Sequence, residues 1–324
     1  MNRMERLIGA CAAVAALAVR APVSAANPPM ARVGYQPNIA MATGIVGFCP
    51  QKQTYYKAFP GVNFNNSLFT NGQKAIDAMR AGALDMAFVG GGPAIMAYSK
   101  SKDLVILANS ASGASVLLAR RGGKVRRVAD LAGRRVGVPA PGTNQDILLR
   151  YQLALNGLRP TDRGGKVQVV LVENAALADS FRHGGLDAAC VPEPWASRLE
   201  REGLATVLLS PTQLFNNGAY PATVLLARRD FVTGNRDFAK RFAKVTDVIT
   251  RAISQHPDTF IPILGSEMKR LAGQDWPSVV IRSAVLRTRF TSHIDQHEVA
   301  VFANLVELAG YRSPGQSLDG ILWR

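Results

Sequence analysis

The amino-acid sequence predicts an α/β protein with largely parallel sheets, built as two related units. Short β-branched or apolar runs alternate with helix-length spacers from Ala31 onward, the pattern of strands joined by crossover helices. A capped helix, a glycine stop and a following strand occur once near residue 80 and again near residue 182. With 324 residues, 48% hydrophobic and 19% charged, the chain can bury one large core or two ordinary ones.

Residues 1–26 precede this pattern. Arg3 and Arg6, an uncharged apolar run over 7–19, Arg20 and the small residues Val23, Ser24, Ala25 and Ala26 read as a secretory signal peptide cleaved after Ala25 or Ala26. The apolar run is too short to span a bilayer, and no later stretch reaches that length. An uncleaved anchor and a lipoprotein signal ending at Cys11 compete with this reading. Only Leu7, Ile8, Gly9 and Ala10 separate Arg6 from Cys11, too little apolar chain for the lipid signal.

Removing residues 1–26 takes away three arginines and one glutamate, so the formal charge falls from +15 to +13. Such a charge favours an anionic ligand, an acidic lipid surface or nucleic acid. Nucleic-acid binding would call for Lys/Arg clusters interleaved with aromatics, or a reader motif, and neither is present. The remaining positive charge reads as an arginine-rich solvated surface. Cys49 and Cys190 are left; an exported chain could join them, but nothing in their spacing fixes whether they meet.

Strands are expected at 31–35, 62–68, 86–89, 104–108, 116–119, 135–138, 167–172, 188–191, 205–209 and 223–227. Asn71 caps a helix over 72–79 that stops at Gly82, and Asn174 opens a second over 175–182 that stops at Gly184 and Gly185. Beyond 227 the apolar period lengthens. Residues 236–255, 276–288 and 295–308 read as amphipathic helices packed on a sheet, with Phe238, Phe242, Val245 and Ile249 on the buried face.

Four segments in register then resemble one family: Arg32-Val33-Gly34-Tyr35-Gln36-Pro37; Ala81-Gly82-Ala83-Leu84-Asp85 running into a strand and Gly90; Asp130-Leu131-Ala132-Gly133-Arg134-Arg135-Val136-Gly137-Val138 followed by Pro141-Gly142-Thr143; and Gly184-Gly185-Leu186-Asp187-Ala188 followed by Glu193-Pro194-Trp195. The pattern is similar to that of the nitrate, sulfonate and taurine type of ABC-transporter substrate-binding proteins, a branch that also holds thiamine-precursor binders. The resemblance implies a type II periplasmic-binding-protein fold of two doubly wound lobes joined by a two-crossing hinge. Lobe one would comprise 27–112 plus 218–324 and lobe two 113–217, with crossings near 113–120 and 219–227. It also implies a monomeric periplasmic protein that passes a small molecule to a membrane permease, with neither catalysis nor a cofactor. The expected solute is a small anion or anion-bearing organic; a neutral pyrimidine is the alternative. Between 37 and 63 the family's usual first helix is replaced by Ala42-Thr43-Gly44-Ile45-Val46-Gly47-Phe48-Cys49-Pro50, which leaves the solute open.

Ligands of doubly wound sheets sit at strand carboxyl ends against helix N-termini. Gln36 and Asn38 follow the first strand and offer amides. Gly90, Gly91, Gly92 and Pro93 offer unhindered backbone N–H groups toward an anion. Ser112 stands at the first crossing. Thr143, Asn144 and Gln145 open a helix that either caps itself or faces the cleft. Trp195 offers an apolar wall, and Glu193 either binds a ligand amine or anchors its helix. Enzyme readings fare worse: there is no nucleophile elbow, Walker loop or Cys-x-x-Cys, nor the cysteine-rich motif of the enzymes related to thiamine-precursor binders. His293 and His297 could share a helical face, but neither a glutamate nor a cysteine is expected to complete a zinc set beside them, and with Asp295 as a cap they read as surface histidines near a helix start, so no metal is expected.

Overall fold

The computed structural model describes residues 27–324; the signal-peptide reading falls on residues outside that range. Two sheets organise the chain. The first contains β1 (Met30–Tyr35), β2 (Asn63–Leu68), β3 (Met86–Val89), β4 (Leu104–Gly113), β10 (Pro221–Arg228) and β11 (Thr288–Arg289). The second contains β5 (Ser115–Arg120), β6 (Arg135–Val138), β7 (Gln168–Leu171), β8 (Ala188–Pro192) and β9 (Ala205–Leu209). Their strand orders are β11-β4-β10-β3-β1-β2 and β7-β6-β8-β5-β9; apart from the two-residue β11, which adds antiparallel to β4 at the edge of the first sheet, they repeat one plan, parallel strands interrupted by one antiparallel strand that arrives from the other sheet. That strand is β10 in the first sheet and β5 in the second.

The ten expected strands all form, most within two residues of the expected ends, although β4 continues to Gly113. The chain leaves the first sheet at Gly113, in the left-handed region at φ 77°, and enters the second at Ser115. It returns ahead of Pro221. Both crossings are therefore shorter than the sequence suggested, because most of 113–120 and 219–227 is strand.

The two paired helix units differ at their starts. Asn71 accepts a hydrogen bond from Lys74 N (3.0 Å) and caps Gly72–Arg80. Asn174 instead lies inside a 3₁₀ turn, Asn174–Ala176, and helix Leu177–Arg182 has no side-chain cap. Both stops use glycine at positive φ, 75° at Gly82 and 66° at Gly184, a conformation that costs a side chain and not a glycine.

The altered segment forms helix Ala42–Phe48, every residue of which is buried. Its glycines admit rings: a Cβ on Gly47 would fall 2.2 Å from Tyr55 Cε2 and one on Gly44 2.8 Å from Phe88 Cδ2. Tyr55 stacks on Phe242 with centroids 4.3 Å apart, and its hydroxyl meets Thr246 Oγ1 at 2.8 Å. Phe238, Phe242 and Ile249 of helix Arg236–Gln255 are buried in this cluster, as their spacing required. Helix Pro257–Ala272, not foreseen, follows at once, and Ser278–Leu286 and Gln296–Leu308 complete the C-terminal third. Cys49 and Cys190 are both buried and free; desolvation raises both thiol pKa values. Among the described residues no helix is long and apolar enough to cross a membrane.

Candidate functional site at the interlobe seam

The carboxyl ends of β3, β6 and β8 converge where the lobes touch. After β3, Gly90 is the N-cap of helix Gly91–Ser101, with no side chain to satisfy the first amides and Pro93 in the first turn, where a missing N–H costs nothing. The Gly92 N–H donates to Asn144 Oδ1 on the other lobe at 2.8 Å. The Asn144 amide nitrogen donates to the carbonyls of Pro221 and Ala222, 3.1 Å each. Asn144 thus ties a helix N-terminus of lobe one to the strand that returns from lobe two, and it is 5% exposed.

The opposing N-terminus is committed differently from the sequence expectation. Thr143 caps helix Asn144–Leu155, accepting from Asp146 N at 3.4 Å and donating to Ala140 O at 2.8 Å. Gly142 N donates to Asp146 Oδ2 at 2.9 Å, and the Tyr311 hydroxyl donates to the same oxygen. Arg150 Nε bonds the other oxygen at 2.9 Å. A carboxylate of the chain itself therefore occupies the favourable end of this helix dipole, and the backbone at Gly142 is not open to an external anion. Gln145 donates to Ser115 Oγ at 3.0 Å, and Ser115 N to the buried Tyr220 hydroxyl at 3.2 Å. Burial raises the pKa of that phenol.

Glu193 resolves to its helix-anchoring alternative. It is fully buried; Oε2 accepts from Ser197 N at 3.1 Å and Oε1 from Arg287 at 3.3 Å. Its carbonyl accepts from Ile39 N at 3.3 Å. Desolvation raises the carboxyl pKa, opposed by Ser197 and Arg287; Arg287 is also shared with Glu200. Trp195 packs edge-on against Trp276 at 4.9 Å, and Arg198 lies over Trp276 while donating to Gln274 at 2.7 Å. Beside them a cavity of about 200 Å³ is lined in part by Arg182, Trp195, Arg198 and Gln274.

Asn38 caps its own short turn, accepting from Met41 N at 3.2 Å, and Gln36 N donates to Met41 Sδ at 3.1 Å. Ser112 Oγ accepts from Asn109 Nδ2 at 3.2 Å, while Asn109 Oδ1 is buried without a partner. The predicted residues thus divide. Gly92 and Asn144 meet, Glu193 and Trp195 join a second seam contact, and Gln36, Asn38 and Thr143 serve their own turns. Asp146, Tyr311, Arg287 and Trp276 were not foreseen. For Asp146 the signal was present, since an acid three residues after Thr143 is a capping pattern. Away from the seam one expectation is corrected: a glutamate does stand beside the histidines, since Glu298, His293 and Asp295 place donor atoms within 4.8 Å of one another; Asp295 serves, as expected, as cap of helix Gln296–Leu308, accepting from Glu298 N at 2.8 Å.

Two lobes of one strand plan, joined by two crossings with strand ends facing at the seam, define the type II periplasmic-binding-protein fold. The NMT1-like family model matches residues 24–259, and the chain belongs to that family. A Brucella abortus chain described only as a binding protein is 27% identical over 239 residues, 74% of this chain and 71% of its own. The taurine-binding periplasmic protein of Escherichia coli is 26% identical over 209 residues, 63% of this chain and 62% of its own. Among solved structures, the alkanesulfonate-binding protein of Xanthomonas axonopodis bound to MOPS superposes with a TM-score of 0.77 at 20% identity, covering 93% of this chain and all of that one. The nitrate-binding protein of Synechocystis gives 0.69 at 16% identity, over 89% and 83%. These similar proteins are all described as binding proteins, the last three each named for the solute it takes.

Proposed function

We propose that the protein is the periplasmic solute-binding component of an ABC importer, holding a small anion or anion-bearing organic, such as a sulfonate, taurine or nitrate, between its lobes for a membrane permease. The observation that carries this reading is the 2.8 Å bond from Gly92 N to Asn144 Oδ1. It marks a helix-terminal donor that is met by an oxygen from across the cleft. An anion oxygen in place of Asn144 Oδ1 would gain the same bond and the favourable helix dipole. The orientation of Glu193 supports the same conclusion: its carboxylate faces Ser197 and Arg287, so it does not oppose a bare anion. The relatives named for taurine and nitrate support the solute class.

Thermal unfolding with sulfonates, taurine, nitrate, carboxylates and pyrimidines tests the reading, because a ligand that binds only the folded form at a hundred times its Kd adds about 2.7 kcal/mol. Anions are expected to raise the melting temperature and pyrimidines to leave it unchanged. Asn144→Asp keeps an acceptor for Gly92 but adds a negative charge, worth roughly 1–4 kcal/mol against an anion about 4 Å away, and should abolish the shift. Stabilisation by pyrimidines alone, or by no compound, overturns the proposal.

A further inference from the structure

Residues 120–135 hold seven lysines and arginines and one acid, Asp130. The fold gathers them at one end of the second sheet, where β5 ends and β6, β7, β8 and β9 begin. Main-chain bonds fix this gathering: Arg121 N donates to Leu204 O, Gly133 N to Lys166 O, Gln168 N to Arg134 O and Asp187 N to Arg135 O, each at 2.9–3.0 Å. Arg159, Arg163 and Lys166 lie on the loop that enters the same end.

The charge there is largely uncompensated. Among the seven, only Arg127 forms an ion pair, with Asp130 at 3.3 Å, and its side chain stays 79% exposed. Arg126 and Arg135 bond main-chain carbonyls, which carry no net charge, and Arg120 Nε and Arg134 Nε have no partner. Of the nearby acids, Asp162 pairs with Arg150 at 3.0 Å, while Asp187 accepts from the main-chain N of Arg135 at 3.0 Å and keeps its single negative charge at this end. Leu155, 62% exposed, ends the helix that leads into the same loop.

We propose that this end of lobe two docks on an anionic phospholipid surface. A dispersed set of cations beside an exposed leucine suits a layer of headgroups. Residues 120–135 and 159–168 contain no aromatic residue, so the stacking platform of a nucleic-acid site is absent. The end lies opposite the strand ends that meet at the seam, so docking leaves the seam unobstructed.

Co-sedimentation of the protein with vesicles of phosphatidylcholine, with and without phosphatidylglycerol, tests the inference. Binding is expected only with phosphatidylglycerol and should weaken as salt is raised. Each cation near the surface contributes about fivefold, so the variant Arg121→Glu, Lys124→Glu, Arg127→Glu should lose on the order of a hundredfold or more. The variant Lys57→Glu, Lys74→Glu, Lys240→Glu, with the same change of charge on exposed positions of lobe one, should still bind. Should the first variant not fold, the matching glutamine variant and the salt dependence of the wild type carry the test. Indifference to phosphatidylglycerol, equal loss in both variants, or a short oligonucleotide bound as tightly as the vesicles overturns the proposal.

Discussion

Gly92→Ala isolates the seam from the rest of the fold. A Cβ at this position would lie 2.4 Å from Ile147 Cδ1, 3.1 Å from Asn144 Oδ1 and 3.4 Å from Gly142 O. All three atoms belong to lobe two, so the added methyl strains only the form in which the lobes meet. Alanine suits a first helical turn, and the open form pays nothing. Overpacking costs about 1–3 kcal/mol. Ile147 Cδ1 is the end of a rotatable chain and sets the lower figure; Asn144, held by three hydrogen bonds, sets the upper. At about 1.4 kcal/mol per factor of ten, closure becomes roughly 5- to 140-fold less favourable, and a ligand needing the closed form loses up to that factor in affinity. Titration calorimetry with a ligand found by thermal shift measures that loss, and small-angle scattering should show the free variant expanded. Gly265→Ala, whose Cβ would meet only Ile281 Cγ1 at 3.9 Å, is the control. Unchanged affinity and unchanged dimensions in Gly92→Ala would refute the closure argument.

Two further substitutions probe the interior. Gly47→Ala drives a methyl into Tyr55, whose ring is fixed by Phe242 and Thr246; a loss of about 3 kcal/mol is expected, read as a lower urea midpoint with an unchanged slope. Glu193→Gln tests the buried carboxylate. Because the folded-state pKa of Glu193 is raised, the folded form holds its proton more tightly than the unfolded one, and stability falls as pH climbs from the usual carboxylate value through the raised one. Glutamine removes that titration, so the variant should gain on the wild type between acid and neutral pH in urea unfolding; a difference independent of pH would contradict the shift.

The legible parts of this fold are those whose causes lie within a few residues. Ten strands follow from apolar runs, and the Asn71 and Thr143 caps from an acceptor placed beside its own helix. The two-residue β11 exists only because Thr288 and Arg289 pair with Gly113 and Ser112, far back in the chain, so no local pattern announces it. Helix Pro257–Ala272 escaped notice because it carries two prolines. Pro257 stands at its start, where the absent N–H costs nothing, and Pro262 lies inside. Asn174 misled in the opposite sense, being a good cap by type that the chain places inside a turn.

The seam obeys a different rule. Gly92 and Asn144 are 52 residues apart, Glu193 and Arg287 94, and Asp146 and Tyr311 165. A strand end and a helix start mark where a polar group will stand, but not which partner will reach it. Glu193 shows the consequence. Read alone, it argues against a bare anion; with Arg287 beside it and Ser197 N bonded to it, the objection disappears. The Gly142 turn changes in the other direction, since Asp146 already supplies the carboxylate that a ligand would have brought. Of the two helix termini that the sequence offered as sites for a ligand, only the one at Gly92 meets a neutral oxygen that an anion can replace, and the discrimination between solutes is therefore expected to respond to Asn144 more than to Thr143.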